Sequence, residues 1–285
     1  MHTAALPDIV PDIEELITED DTPVDNLPSE KQQRLLTEPL YSSWHGPGED
    51  RSFLAAANVG VFSQTHAPAI VPDMFLSLDV AVADDWWRKE HRSYFIWEFG
   101  KPPEVVVEIV SNKVGGENAE KRSKYAWMRV PYYVIYDPQG LVMEEPLTVY
   151  ALRGLRYERQ ESAWFPDVGL GLALWEGEFE GRRDTWLRWT DARGEVVPTG
   201  RERAEAEKLR ANQAELRASE ERQRAEQADL RALEERQRAE AADQRAEAAD
   251  QQAAEERQRA NEAAERAERL AALLREAGID TINLK

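Results

Sequence analysis

The sequence predicts an α/β fold, in which helices cover a mixed β-sheet and one long helix follows it. Three observations support this fold class. Strand-like apolar segments alternate with a helical segment between residues 71 and 158. The segment Val105 to Ser111 is an apolar, β-branched run that suits a strand buried on both faces. Residues 201 to 276 contain no Gly or Pro and are rich in Ala, Glu, Arg and Gln, which is typical of a single long helix.

The composition limits the classes of protein to which the chain can belong. It has 285 residues, of which 42% are hydrophobic, so it can bury a sizeable core. The mean hydropathy of -0.65 indicates extended polar segments beside that core. The net charge is -19, and residues 1 to 30 hold nine acidic side chains with no Lys or Arg. This balance counts against the basic surface of a general nucleic-acid binder, although it leaves room for a local basic cleft.

The absence of cysteine excludes disulfides, thiolate zinc sites and cysteine nucleophiles. No apolar run approaches the ~20 residues of a membrane span. The acidic N-terminus also lacks the basic and apolar regions of a signal peptide. We therefore expect a cytoplasmic protein without a membrane partner.

The N-terminal part of the chain divides into a tail and the start of a domain. Residues 1–27 are acidic, contain prolines and lack periodicity, so we expect a disordered tail. A globular domain is predicted to span residues 28–200. Ser29 precedes Gln32 at capping-box spacing, and leucines give the helix that follows its apolar side. Between residues 51 and 64 we expect a helix end and then an edge strand.

Four further strands are predicted from apolar and β-branched runs. In chain order they are residues 71–80, 94–99, 105–111 and 132–137. Asp73 lies at the start of the first of these strands, and Trp86 to Lys89 belong to a loop or a hairpin partner. A helix is expected from Glu117 to Met128, and residues 147–152 and 155–158 form a hairpin around an Arg-Gly turn.

Beyond the hairpin, four tryptophans are expected to pack a C-terminal lobe against the sheet: Trp164, Trp175, Trp186 and Trp189. Gly169-Leu170-Gly171 invites comparison with a phosphate-binding loop. We reject that interpretation because the segment lacks the third glycine and opens no clear helix.

The predicted long helix, residues 201–277, carries a heptad repeat. Alanine recurs every seven residues from Ala204 to Ala267, and Leu274 continues the series. A strict period of seven favours a left-handed coiled coil and hence a homodimer through this helix, although an alanine seam buries little area. A single solvated helix held by Glu/Arg pairs is the alternative. Gly278 is expected to end the helix, and residues 278–285 form a tail.

Glu108 interrupts the central apolar strand, where an unpaired carboxylate would cost roughly several kcal/mol. It should therefore be neutralised, hydrogen-bonded or bound to a metal ion. Pairing of its strand with that of Asp73 would bring two carboxylates together. With a lysine, such a pair suits metal-dependent phosphodiester hydrolysis. The candidates are Lys113, Lys121 and Lys124, and an ordinary helix pair with Glu117 is an equally weighted alternative for Lys121.

Several of these segments together resemble the Uma-two family of the PD-(D/E)XK nuclease superfamily, over roughly residues 28 to 200. They are Pro72-Asp73, Pro102 to Asn112, Gly115-Gly116-Glu117 with Lys121 and Tyr125, and Tyr132 to Pro138. The end of the C-terminal helix, residues 273–280, is similar to tails of some members.

The resemblance implies a core of four strands with helices on both sides. It implies that Asp73 and Glu108 are ligands of Mg²⁺ (or Mn²⁺), and that the backbone carbonyl of Ile109 is a third ligand. The superfamily's lysine normally lies two residues after the second acid, where this chain has Val110. Related members place it on the next helix, which points to Lys121.

Two functional hypotheses follow. The first is a Mg²⁺-dependent endonuclease that hydrolyses DNA, with Asp73, Glu108 and Lys121 as its catalytic residues and Glu38 as a candidate extra acid. The second is a catalytically inactive protein of the same fold that binds or scaffolds through its coiled coil. The acidic balance and the displaced lysine favour the second hypothesis.

Overall fold

A computed structural model describes residues 26–44, 46–48, 51–65, 67–111 and 117–276. Within these residues the chain forms four α-helices and eleven strands. The helices are α1 (Leu27–Ser42), α2 (Ile96–Phe99), α3 (Glu117–Trp127) and α4 (Gly200–Glu276). The strands are β1 (Phe53–Ala56), β2 (Val61–Phe62), β3 (Met74–Leu78), β4 (Tyr94–Phe95), β5 (Val105–Ile109), β6 (Tyr132–Tyr136), β7 (Leu147–Arg153), β8 (Arg156–Gln160), β9 (Trp164–Phe165), β10 (Leu170–Phe179) and β11 (Arg182–Thr190).

The central feature is a six-stranded mixed sheet in the order β1-β3-β5-β6-β7-β8. Only the β5–β6 pair is parallel within this sheet, and α3 makes the crossover between these two strands. A parallel pair needs such a crossover because a tight hairpin cannot connect strands that run in the same direction. The remaining neighbours are antiparallel.

The two faces of this sheet are covered by different elements. On one face, Leu36 and Leu40 of α1 pack with Val105 and Val107, together with residues of a second sheet of order β11-β10-β9. On the other face, apolar residues of α3 pack against Val106 and its neighbours. The alternation of side chains along β5 therefore supplies both cores, as expected for a strand that is buried on both sides.

The predicted mixed α/β fold class and the long C-terminal helix are confirmed. The strand beginning after Asp73, the central strand, the helix that follows it, the strand after Pro131 and the hairpin all lie where the sequence predicted them. The sheet has six strands rather than the four that the family resemblance implied, because β1 and β8 extend the inner strands at its two edges.

Three local predictions were wrong. Residues 53–56 form the edge strand β1 rather than a helix end, because they pair in register with β3. Of residues 94–99, only Tyr94 and Phe95 are a strand, and the rest form the helical turn α2, which ends at Gly100 in a left-handed conformation. The α1 cap is Asn26 rather than Ser29, since the Asn26 side chain accepts a hydrogen bond from the Ser29 amide.

The predicted tryptophan-rich lobe corresponds to the three-stranded sheet. Trp186 and Trp189 are buried there, and Trp164 and Trp175 are half-buried. Gly169 lies just before β10, and Leu170 and Gly171 are the first two residues of that strand, so the segment opens a strand rather than a helix.

The chain divides into two compact units, with the boundary between Glu207 and Lys208. The first contains the six-stranded sheet, the three-stranded sheet, the parallel pair β2–β4 and the first residues of α4. The second contains the rest of α4 and the residues after it. Beyond residue 207 nearly every described side chain is exposed. The predicted tails, residues 1–27 and 278–285, lie outside the described residues except for the cap and first residue of α1. None of the described helices has the length and apolar character that crossing a membrane requires.

Candidate active site

Asp73 and Glu108 lie at the same end of the six-stranded sheet. Asp73 is the residue before β3, and the antiparallel register of β3 and β5 pairs Met74 with Val107 and Phe75 with Val106. Continued by one residue, this register would bring Asp73 across from Glu108, and the Asp73 carboxylate accepts a hydrogen bond from the amide of Ile109, the next residue of β5. Glu108 lies on the same face of β5 as Val106, which is the face covered by α3.

The Glu108 carboxylate is buried, with 5% of the residue exposed, and both of its oxygens are hydrogen-bonded. The Lys121 ammonium donates to Oε2 over 2.7 Å, and the Tyr125 hydroxyl donates to Oε1 over 2.7 Å. Lys121 and Tyr125 are four residues apart on α3, so they lie on the same helix face. The positive charge of Lys121 and the hydrogen bonds from Lys121 and Tyr125 offset the free energy cost of burying the Glu108 carboxylate in an apolar strand.

Tyr125 is a fixed donor to this carboxylate. Burial, and after it the negative charge of Glu108, raise the pKa of the Tyr125 hydroxyl well above its ordinary value. The neighbouring Tyr133 is also fully buried, and burial together with Glu108 raises its pKa as well. The Tyr125 hydroxyl therefore stays protonated at neutral pH, and it donates its hydrogen bond to Glu108 Oε1 without carrying a negative charge of its own.

The Asp73 carboxylate is held by two further elements. The backbone amide of Ile109 donates to Oδ2 over 2.5 Å, and the Gln33 side chain on α1 donates to Oδ1 over 3.3 Å. Each site carboxylate is thus held by at least two donors, and four elements (α1, β3, β5 and α3) contribute to the site.

Gln33 and Asn58 were not singled out by the sequence analysis. Their side-chain amides exchange two hydrogen bonds, one of 2.9 Å from Asn58 Nδ2 and one of 3.3 Å from Gln33 Nε2. Asn58 has a φ of 55°, a left-handed conformation that asparagine tolerates better than most residues. The sequence signal was weak, because a glutamine on a half-buried helix has no pattern of its own.

The comparison with known families decides the identity of the domain. A family model named Uma2 and described as "Putative restriction endonuclease" matches residues 16–176. The chain belongs to the Uma2 family. The match includes every site residue named above, and it supports a nuclease-like function for this Uma2 protein. No curated protein matches the chain.

The candidate lysines of this Uma2 protein have different surroundings. Lys121 contacts Glu108, whereas Lys124 pairs with Glu120 over 2.7 Å on the exposed side of α3. Lys113 lies outside the described residues. Among these candidates, Lys121 is therefore the lysine that the described structure brings to Glu108.

Glu38 has a different role from the extra acid considered above. Its Oε1 accepts a hydrogen bond of 2.9 Å from the Gly200 amide at the start of α4. The α1 side chain that reaches Asp73 is Gln33, which is an amide rather than an acid.

The donor set fits a hard divalent cation such as Mg²⁺ or Mn²⁺. Such ions prefer oxygen ligands. The site offers the carboxylates of Asp73 and Glu108, and the half-buried Ile109, the last residue of β5, follows Glu108 directly. A carboxylate oxygen that accepts one hydrogen bond keeps a second lone pair for a metal ion. The described residues contain no group of three His, Cys, Asp or Glu side chains suited to a metal, so a main-chain carbonyl or water would complete the ligand set.

Proposed function

We propose that this Uma2 protein is a Mg²⁺-dependent endonuclease that hydrolyses phosphodiester bonds in DNA. The observation that carries the proposal is that Asp73 and Glu108 lie at the same end of the sheet. The Asp73 carboxylate accepts a hydrogen bond from the amide of the residue after Glu108, and the Lys121 ammonium lies 2.7 Å from Glu108 Oε2. Two carboxylates beside a cation are the groups that metal-assisted phosphodiester hydrolysis requires.

In this proposal the Asp73 and Glu108 carboxylates and the Ile109 carbonyl would hold Mg²⁺ or Mn²⁺. When bound, the ion would lower the pKa of water and neutralise charge on the phosphate. Lys121 would orient the attacking water or offset the charge that develops on the phosphate oxygens. The water would give up one proton to solvent as its oxygen bonds to phosphorus, the bond from phosphorus to the leaving sugar oxygen would break, and that oxygen would take up a proton from solvent.

The hydrogen bonds around the carboxylates support these roles. Tyr125 donates to Glu108, while Gln33 and the Ile109 amide donate to Asp73, so both groups are oriented before substrate arrives. Such preorganisation is effective because the partners of a metal-binding group fix its direction and its basicity.

Calorimetric titration of Mn²⁺ and Mg²⁺ tests the metal site. We expect wild type to bind and Asp73→Asn and Glu108→Gln each to lose binding. Glu120→Gln is a matched control, since Glu120 is an exposed carboxylate on the same helix as Lys121. In a plasmid-cleavage assay, the variants that lose metal binding should also lose cleavage, and Glu120→Gln should cleave as wild type does. Full metal-dependent cleavage by Glu108→Ala would contradict the assignment.

A non-catalytic binding or scaffolding role is the alternative proposal. It is favoured by the ion pair itself, because Lys121 already compensates the Glu108 charge, and by the net charge of -19. Absence of Mn²⁺ and Mg²⁺ binding by wild type, both alone and with DNA present, would favour this role over the nuclease.

We also propose that the chain forms a homodimer through α4. The support is the heptad spacing of alanine along a helix whose described side chains beyond residue 207 are almost all exposed. A two-fold pair of domains would present two cutting sites to the two strands of a duplex.

A further inference from the structure

The long helix α4 carries a column of arginines next to its alanine series. If the alanines from Ala204 to Ala267 are position a of the heptad abcdefg, position g is arginine in nine of ten heptads. We call these residues the arginine column: Arg203, Arg210, Arg217, Arg224, Arg231, Arg238, Arg245, Arg259 and Arg266, with Gln252 at the remaining position. Positions e and g flank the seam of a coiled coil, so this column would lie beside the partner helix.

Most of the arginine column has no acidic partner within its own chain. Arg259 lies 3.6 Å from Glu255 and Arg266 lies 3.9 Å from Glu262. Over the described length of α4, the members of the column from Arg203 to Arg245 form no ion pair, and their side chains are exposed. Their charges are therefore not compensated in a single chain.

Position e supplies opposite charges to the arginine column if two helices run parallel. In a parallel, in-register pair, each g residue lies beside the following e residue of the partner. Position e is acidic in four heptads, at Glu215, Asp229, Asp243 and Asp250. The g residues that would meet them are all arginines, namely Arg210, Arg224, Arg238 and Arg245.

Position d compensates the heptads in which position e is basic. Position e is basic at Lys208, Arg222, Arg236 and Arg257, and the residue before each of them, at position d, is a glutamate. In the four heptads with an acidic e residue, position d is alanine. A d side chain packs beside position e of a parallel partner, so each such layer would hold two glutamates and two basic side chains. Every charged e residue would thus meet an opposite charge.

An antiparallel pair would lack this complementarity. In that orientation position g faces position g of the partner, so the arginine column would face itself, and like charges repel. A nucleic acid is a poorer partner than a second copy, because residues 201–285 hold 17 Lys and Arg side chains but 21 Asp and Glu. The charge pattern therefore favours a second, parallel copy of α4.

We infer that α4 pairs in parallel and in register with α4 of a second copy, with the arginine column against position e of the partner. The inference rests on the homodimer proposed above, and it deepens that proposal by giving the orientation. Each domain is joined to the first turn of α4, so parallel pairing brings both domains to the same end of the coiled coil. Two candidate active sites could then act on one duplex.

Single cysteines in the full chain test the orientation, because the natural sequence has none. Identical a positions face each other only in a parallel, in-register pair, at a separation that suits a disulfide. With diamide as the oxidant, we expect Ala218→Cys and Ala253→Cys each to form a disulfide-linked dimer. Gln237→Cys, at the outer position f, is the control and should stay unlinked. An antiparallel pair can link at most one of the two a-position variants to its own copy.

Charge reversal gives a second test, for which the two orientations predict opposite results. Arg224→Glu should weaken dimerisation about tenfold in sedimentation equilibrium if α4 pairs in parallel, because Asp229 of the partner loses its counter-charge. Addition of Asp229→Arg should restore the affinity. An antiparallel pair would instead be tightened by Arg224→Glu. Arg269→Glu is the matched control at the outer position c, since both arginines follow a glutamate by four residues, and it should stay within twofold of wild type.

The outcomes separate the orientation from the other proposals. A wild-type dimer in which the two a-position variants do not both link, or in which Gln237→Cys links equally well, overturns the parallel pairing alone. A tighter dimer of Arg224→Glu does the same. A wild-type chain that sediments as a monomer overturns the homodimer together with its orientation. Plasmid cleavage measured in parallel tests the nuclease proposal independently of both.

Discussion

At the scale of residues, two buried carboxylates of this protein have different kinds of partners. Asp137 is fully buried and accepts hydrogen bonds from the backbone amides of Leu141, Val142 and Met143. Burial would raise the pKa of Asp137, but these amides outweigh it and hold the pKa below its ordinary value. Glu108 is instead held by the side chains of Lys121 and Tyr125. The Asp137 carboxylate therefore holds the backbone of the segment after β6, whereas the Glu108 carboxylate is held between an ammonium and a hydroxyl of α3.

Two adjacent glutamines of α1 also differ in their partners. Gln32 exchanges two hydrogen bonds with the backbone of Leu187 on β11, over 2.8 and 3.0 Å, and so ties α1 to the small sheet. Gln33 donates to Asp73 and pairs with Asn58. The neighbouring positions therefore offer a matched pair of substitutions, one structural and one directed at the site.

We predict that Gln33→Ala weakens Mn²⁺ binding about tenfold, because Asp73 loses a group that orients it. Gln32→Ala should leave the Mn²⁺ affinity unchanged but lower the free energy of unfolding by about 3 kcal/mol, because two buried backbone groups lose their partners. Calorimetry and denaturant unfolding measure the two quantities. If Gln33→Ala binds the ion as wild type does, Gln33 has no positioning role.

At the scale of elements, the start of α4 is joined to the three-stranded sheet by an ion pair between a buried arginine and a partly exposed glutamate. The side chain of Arg188 on β11 is 3% exposed and donates to both carboxylate oxygens of Glu202 over 2.8 and 2.6 Å. Thr199 and Glu202 form a reciprocal capping box at the helix start. The Arg188 guanidinium also lies 4.6 Å from the ring centre of Trp175. The first turn of α4 is therefore part of the folded domain.

We predict that Glu202→Gln lowers the free energy of unfolding by about 1–2 kcal/mol, because it leaves the Arg188 charge buried without a counter-charge. The loss is smaller than for a fully buried pair, since the Glu202 side chain is 38% exposed and water screens it. Burial would raise the pKa of Glu202, but Arg188 and the Thr199 amide outweigh it and lower that pKa. The stabilisation by Glu202 is thus complete above the ordinary carboxyl pKa and is lost as the pH falls through the lowered one.

Denaturant unfolding at neutral and acidic pH checks this prediction. The difference between wild type and Glu202→Gln should shrink in acid. Glu205→Gln, which alters an exposed pair with Arg201, is the control and should change stability little. A Glu202→Gln variant as stable as wild type at neutral pH would show that the pair contributes nothing net.

At the scale of the whole molecule, the long helix α4 accounts for 77 of the 285 residues. At the usual rise per residue, a straight helix of this length extends over about 115 Å. Beyond residue 207 its described ion pairs are few, the examples being Arg259 with Glu255 and Arg266 with Glu262. A second helix that packs on the alanine series would give this segment the burial that it lacks within one chain.

We predict that the full chain sediments as a dimer and that a chain ending at Glu207 sediments as a monomer. Ending the chain there keeps Glu202 with Arg188, so the truncation does not disturb the domain. Analytical ultracentrifugation over a range of concentrations measures both states. If both proteins sediment as monomers, the dimer proposal is wrong. If both sediment as dimers, the interface lies in the domain rather than in the part of α4 that was removed.

The sequence by itself determined the α/β class, the central strand, the hairpin and the long helix, because each depends on a local period of apolar residues or on turn chemistry. It also singled out Glu108 as a candidate, since a carboxylate in an apolar strand is conspicuous on energetic grounds. Asp73 and Lys121 were assigned their candidate roles with the help of the family resemblance, because the residues alone left the lysine open. Only the tertiary structure decided that β1 is a strand, that α2 interrupts the predicted strand at residues 94–99, and that Gln33 reaches Asp73. These features depend on contacts between residues distant in the chain, which no local pattern encodes.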